Sequence, residues 1–331
     1  MEIKRSGRVR WLLVTAGLAA LAWILRRWQL ATAFEGELRL PIPMAPASMA
    51  LGCTLVIAGA AFGLLANIQR VVKPPRGDRR RDRWNRALSA PGDLVGLGVM
   101  VLAAFLMLLA APLLFREGWG MWQAFRLSVA PTGNNGVLLM AAGATSLAGC
   151  GGVLAVARAC YRGEGQGKGA IVLPALHGCL WLMELYRGHA ADPVLWDYVP
   201  MLLAVVGGML LYMDWGGLSS GQPRPRRTLW LAGMTAVLTA VALAGSWQWG
   251  EGLLLGAQLV LAFVVLNRLP VNLEHPTWAA RVFIPEPEER WPGEGPESES
   301  AADVRQTRPT QAEPSRGERL DQDRQEEASH E

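Results

Sequence analysis

Residues 70–86 read RVVKPPRGDRRRDRWNR, eight Lys or Arg and two Asp in seventeen positions, and long apolar runs lie on both sides of them. A short polar segment between two apolar runs reads as a loop joining membrane-spanning helices. Its density of cations predicts that it stays in the cytoplasm, because Lys and Arg near span ends resist translocation. The rest of the chain is read outward from this loop.

Eight apolar runs follow one another at about the length that a bilayer demands of a helix, roughly 20 residues. They cover about residues 11–30, 47–68, 94–115, 136–157, 170–186, 194–213, 228–246 and 252–266. The amino terminus and the second, fourth and sixth loops carry eighteen Lys and Arg, against six in the odd-numbered loops. That bias predicts an all-α, polytopic bundle of about eight transmembrane helices in a plasma membrane, with both termini cytoplasmic. Ala31-Thr32-Ala33 offers a small-residue cleavage pattern after the first run, but Arg26 and Arg27 follow the apolar core, which a cleaved signal peptide does not favour. Read as retained, the first span sends Arg26 and Arg27 to the outer head groups by extending their side chains.

Three segments are expected: a helix bundle over 1–269, a juxtamembrane stretch over 270–285, and an acidic tail over 286–331. Up to residue 285 the chain has 26 basic and 14 acidic side chains, and beyond it 6 and 14. Rich in Pro, Glu, Arg, Ser and Gln, the tail buries too little apolar surface to offset its ordering entropy and is expected to be disordered. Opposite charge draws it toward the basic loop, but anionic lipid competes for the same cations, at about 1 kcal/mol each near the surface. Arg76, Arg79, Arg80, Arg81, Arg83 and Arg86 are the candidate contacts for lipid or tail. The positive charge is dispersed over loops flanking spans, which argues for the bilayer as partner and against nucleic acid.

Little in the sequence carries chemistry. Cys53, Cys150, Cys160 and Cys179 lie in or at the ends of apolar runs with no CxxC or Cys/His spacing, so no metal site or disulfide framework is indicated. Residues 163–169, GEGQGKG, are one residue short of a phosphate loop and place Gly169 where Ser or Thr would hold magnesium. No cofactor is implied. Two patterns of small residues, Gly59 with Gly63, and Ala144, Ala148 and Gly152, suit close helix packing.

The fifth run is the shortest and least apolar, and it holds His177 and Glu184, seven residues apart on nearly one helical face. Ionisable groups at membrane depth are by default candidates for an ion or proton pathway. With Arg187 they form the candidate intramembrane polar site. Glu184-Leu185-Tyr186-Arg187-Gly188 resembles the EExxxR segment of membrane-embedded CPBP-type proteases. Met183 replaces the first glutamate, Arg187 falls one residue early, and no His occurs between His189 and His275, so the resemblance stops at five residues. Scarce polar residues in spans two, three, four, seven and eight disfavour a wide aqueous path. The expectation is a non-catalytic membrane component that binds or regulates a partner, with a transporter or channel using span five as the alternative and an embedded enzyme behind both.

Overall fold

The computed structural model describes residues 3–35, 40–71, 84–128, 135–165, 169–189, 195–220, 223–245 and 247–274. The chain divides into two units, Met1–Arg281 and Val282–Glu331. All described residues belong to the first, so the tail, the residues after Glu274 and Arg76, Arg79, Arg80, Arg81 and Arg83 lie outside them.

Eight long helices account for nearly all of the described chain: α1 (Ile3–Thr32), α2 (Pro46–Ile68), α3 (Leu94–Leu127), α4 (Val137–Arg162), α5 (Val172–His189), α6 (Leu195–Ser219), α7 (Pro225–Leu243) and α8 (Trp249–Glu274). Six of them, all but α5 and α7, are long and apolar enough to cross a membrane, which makes this an integral, multi-pass membrane protein by composition. Between α1 and α2, residues 34–46 are not merely extended. Phe34–Glu35 (β1) pairs antiparallel with Leu40–Pro41 (β2), Phe34 opposite Pro41.

Helices α3 to α8 each pack on the next, and α8 returns to α3, so six helices close a ring. Outside it, α1 and α2 pack on each other and on α7, and α1 also reaches α8. Helix α7 is therefore surrounded. Its buried positions run around the helix and are mostly small: Ala232, Gly233, Thr235, Ala236, Thr239 and Ala240 among them. A helix enclosed by protein needs small residues that admit its neighbours more than it needs lipid-facing hydrophobicity, which accounts for its modest apolarity.

The short α5 has a different cause. A side-chain atom on Gly152 of α4 would meet the Ala170 carbonyl oxygen and Leu173. Gly152 lies ten residues from the end of α4, about 15 Å at 1.5 Å per residue. The connection after α4 therefore descends about that far into the bundle before α5 begins, and α5 spans only the remaining depth.

We call the end of the bundle that holds the start of α1 proximal and the opposite end distal. Two helices overrun their apolar segments. Helix α3 continues twelve residues past Phe115 to Leu127, where the sequence pattern suggested a loop. Gly118 faces Gly136 and Met140 so closely that a side chain at either glycine would strike the other strand of the hairpin; this close approach carries α3 past the start of α4. Trp119 and Trp122 then pack at a tilt of 34° with ring centroids 4.8 Å apart, and Arg126 lies over Trp122 at 4.8 Å.

Helix α8 runs through Pro270 to Glu274 rather than ending at Leu266, and its last turns hold the proximal end together. Asp93 caps α3, accepting from Gly96 N at 3.0 Å, and pairs with Arg268 at 3.3 Å. Asn272 donates to the carbonyls of Ala87 (2.8 Å) and Ser89 (3.1 Å). Glu274 accepts from Gln69, at the end of α2, and Gln69 in turn accepts from the Trp11 indole of α1. The polar final turns persist because other elements satisfy them.

One expectation is corrected. Arg26 does not reach for head groups: it is 1% exposed, and its Nη1 donates to Gln29 at 2.7 Å, with Gln29 donating on to Ser48 at the start of α2. Only Arg27 is exposed, reaching the Ala244 carbonyl oxygen. Desolvation of a guanidinium is offset where side chains accept its hydrogen bonds, and Gln29 one turn on accepts one of them.

Candidate functional site

The fifth run faces inward at the centre of the ring. Pro174 lies near the amino-terminal end of α5, where a missing N–H costs nothing, and His177 follows three residues later at 4% exposure. Counting along the helices puts Met107 about 20 Å from the start of α3 and His177 about 8 Å into α5. Both levels are near mid-depth.

His177 Nδ1 lies 3.3 Å from Thr145 Oγ1 on α4. The single hydroxyl proton of Thr145 has nearer acceptors, the carbonyls of Ala141 at 2.9 Å and Ala142 at 3.1 Å. The threonine oxygen is thus left to accept, which assigns the imidazole proton to Nδ1 and leaves Nε2 a bare acceptor. Among the described residues Nε2 has no hydrogen-bond partner, and neither has the indole Nε1 of Trp181, one helical turn on and stacked with the imidazole at 6.1 Å. Both residues line a cavity of about 20 Å³, shared with Met107, Met209, Tyr212 and Gln258. That is room for about one water molecule. An acceptor on His177 and a donor on Trp181 are complementary to one water, or to one small group bearing both functions.

Gln258 closes this centre from α8. Its Nε2 donates to the Ala204 carbonyl of α6 at 2.8 Å and to Thr239 Oγ1 of α7 at 2.7 Å, tying three helices at one level. Nothing in its apolar context, LLLGAQLVLAF over 253–263, marks that role beyond its being a lone amide. Trp181, Tyr212 and Gln258 are the residues that sequence reasoning passed over.

Glu184 is also buried, at 6% exposure, and is engaged with a partner, whereas Arg187 is exposed. The structure therefore brings His177 together with Thr145, Trp181 and Gln258, and keeps Arg187 out of that interior. About 10 Å of helix separates His177 from Glu184. Among the described residues no three His, Cys, Asp or Glu side chains gather as metal ligands would.

The small-residue positions fall on two different surfaces. Gly59 and Gly63 lie against Met234 and Trp230 of α7, and the Trp230 indole donates to the Gly59 carbonyl at 2.9 Å. Gly152 faces α5, but Ala144 and Ala148 are exposed. Ala144 lines an apolar groove of about 930 Å³ between α3 and α4, with Leu108, Pro112, Phe115, Gly143 and Leu147. Arg116 and Trp119 stand at its distal rim. Of the six arginines expected to contact lipid or tail, Arg86 alone is described, and it is partly buried.

Compared with protein-family models, with curated proteins and with solved structures, the chain matches none.

Proposed function

We propose that this is a non-catalytic component of the plasma membrane, with both termini cytoplasmic and eight spans, that binds a partner from within the bilayer. The observation that carries this reading is the contrast between the two concavities described above. The interior one, lined by His177, Trp181 and Gln258, is of the order of a single water, while the one between α3 and α4 is many times larger, apolar, and opens on the side that meets lipid. Apolar concavities of several hundred Å³ are typical of binding sites.

A photoreactive amino acid at Leu147 tests this in intact membranes, with Ile57, an exposed α2 residue outside the groove, as the comparison. A discrete adduct of lipid or protein at 147 and diffuse labelling at 57 is the expected result. Identical labelling at both would remove the groove as a partner surface.

Transport is the second reading, favoured by the bare Nε2 of His177 at the ring centre. It requires that a His177→Phe variant, reconstituted in vesicles, lose a proton or ion flux that the parent protein supports.

A further inference from the structure

The α3–α4 groove changes character along the membrane normal. Measured from Asp93, the cap of α3, Leu108 lies roughly 22 Å and Arg116 roughly 35 Å along the helix axis. A hydrocarbon core is about 30 Å thick. Leu108 to Pro112 therefore occupy the acyl layer of the distal leaflet, Phe115 lies at its boundary, and Arg116 stands at head-group level beside Trp119, an aromatic residue of the kind enriched there.

The floor of the groove is made by Ala111, Gly143 and Ala144, and its walls are aliphatic and aromatic. Arg116 is exposed and forms no ion pair among the described residues. Glu117, its neighbour, turns one carboxylate oxygen into the protein; the Arg116 charge acts on it at a distance, but the two form no ion pair, which leaves the guanidinium's N–H donors at the rim open to an anion. One end is thus a cation at phosphate depth and the other a trough without polar groups.

We propose that this groove binds a phospholipid of net negative charge from the distal leaflet, its acyl chains along Leu108, Phe115 and Leu147 and its phosphate on the Arg116 guanidinium. The proposal rests on the reading of this groove as the partner surface. A guanidinium offers paired N–H donors that match phosphate oxygens. A partner helix would be placed differently. Helices approach along rows of small residues, and the exposed row of α4, Ala144, Ala148, Gly151 and Ala155, runs down an outer face of which only Ala144 enters the groove.

The test uses the full-length protein in vesicles of equal parts phosphatidylglycerol and phosphatidylcholine, each carrying the same photoreactive acyl chain, with label read by mass spectrometry on peptides spanning 108–119 and 143–147. Phosphatidylglycerol label should exceed phosphatidylcholine label by about fivefold, the factor that about 1 kcal/mol per cation near an anionic surface gives. R116Q should bring the ratio to about one with total label retained, and R116K should restore most of the preference. A144W, or L147W if the first fails to fold, should remove the label from both lipids. A ratio of one in the parent protein, with label still abolished by A144W, overturns the anionic-lipid proposal and leaves the partner surface standing. Label that neither tryptophan variant reduces overturns both.

Discussion

Arg268 and Asp93 form an unequal pair, and the inequality decides what each contributes. The Arg268 side chain is 6% exposed and that of Asp93 38%, so the carboxylate keeps water while the guanidinium depends on its protein neighbours. Asp93→Ala removes both the α3 cap and the carboxylate paired with the buried Arg268 guanidinium; breaking such a pair costs about 3–5 kcal/mol. Arg268→Met leaves a hydrated carboxylate and an apolar side chain beside Met100, which already touches Arg268 Nη1 at 3.5 Å, and should cost less than about 1.5 kcal/mol. Thermal unfolding in detergent reads the difference. Equal losses in the two variants would contradict the assignment of the buried charge as the dependent partner. Gly96 belongs to the same arrangement, because the Arg268 guanidinium lies where a side chain at 96 would begin; Gly96→Ala should resemble Asp93→Ala in direction. The sequence marks Asp93 as a cap from its place before an apolar run, but it does not disclose Arg268, since an arginine after a span reads the same whether it faces head groups or another helix. Arg26 fails for the same reason. Three-dimensional neighbours decide between burial and solvation, and they come from chain segments far away in sequence.

The helices themselves were legible as apolar runs, and each of the eight runs overlaps one helix. Their ends were not. A helix stops in a sequence reading where the apolar pattern stops, yet α3 and α8 continue for another two or three turns because glycine contacts and side-chain hydrogen bonds stabilise turns that have no apolar face. The shortness of α5 was visible, but its cause, a connection descending about 15 Å beside Gly152, was not. At the centre, burial of His177 and Glu184 follows from the cost of turning ionisable groups to lipid, while the partners Thr145 and Gln258 depend on helix register, which periodicity does not encode. The extended end of α8 leads to a prediction about the segment it clamps. Asn272→Ala frees the carbonyls of Ala87 and Ser89 at once, so amide hydrogen exchange over 87–93 should speed up by tenfold or more, the factor expected when a contact of about 1.4 kcal/mol is lost, at the upper end of an ordinary hydrogen bond. Unchanged exchange there, or an equal increase across the whole bundle, would show that Asn272 does not hold that segment.

For the whole molecule, the proximal and distal ends differ in kind. Side-chain hydrogen bonds and an ion pair join five elements at the proximal end, whereas the distal end carries the paired tryptophans, the overrun of α3 and the groove. A lipid at Arg116 and a proton acceptor at His177 both presuppose that the ring of α3 to α8 stands across the bilayer with α5 and α7 as full spans, although neither is among the six helices that qualify by length and apolarity. Their place in the ring argues that they cross: each packs antiparallel between helices that do. The direct measurement is labelling with a membrane-impermeant thiol reagent in intact cells, on a background with Cys53, Cys150, Cys160 and Cys179 changed to Ala and single cysteines placed at Asp192, between α5 and α6, and at Gly221, between α6 and α7. The eight-span account requires Asp192→Cys to label from outside and Gly221→Cys to label only after the membrane is permeabilised. Labelling of Gly221→Cys from outside, with Asp192→Cys protected, would mean that α5 does not cross and would contradict it.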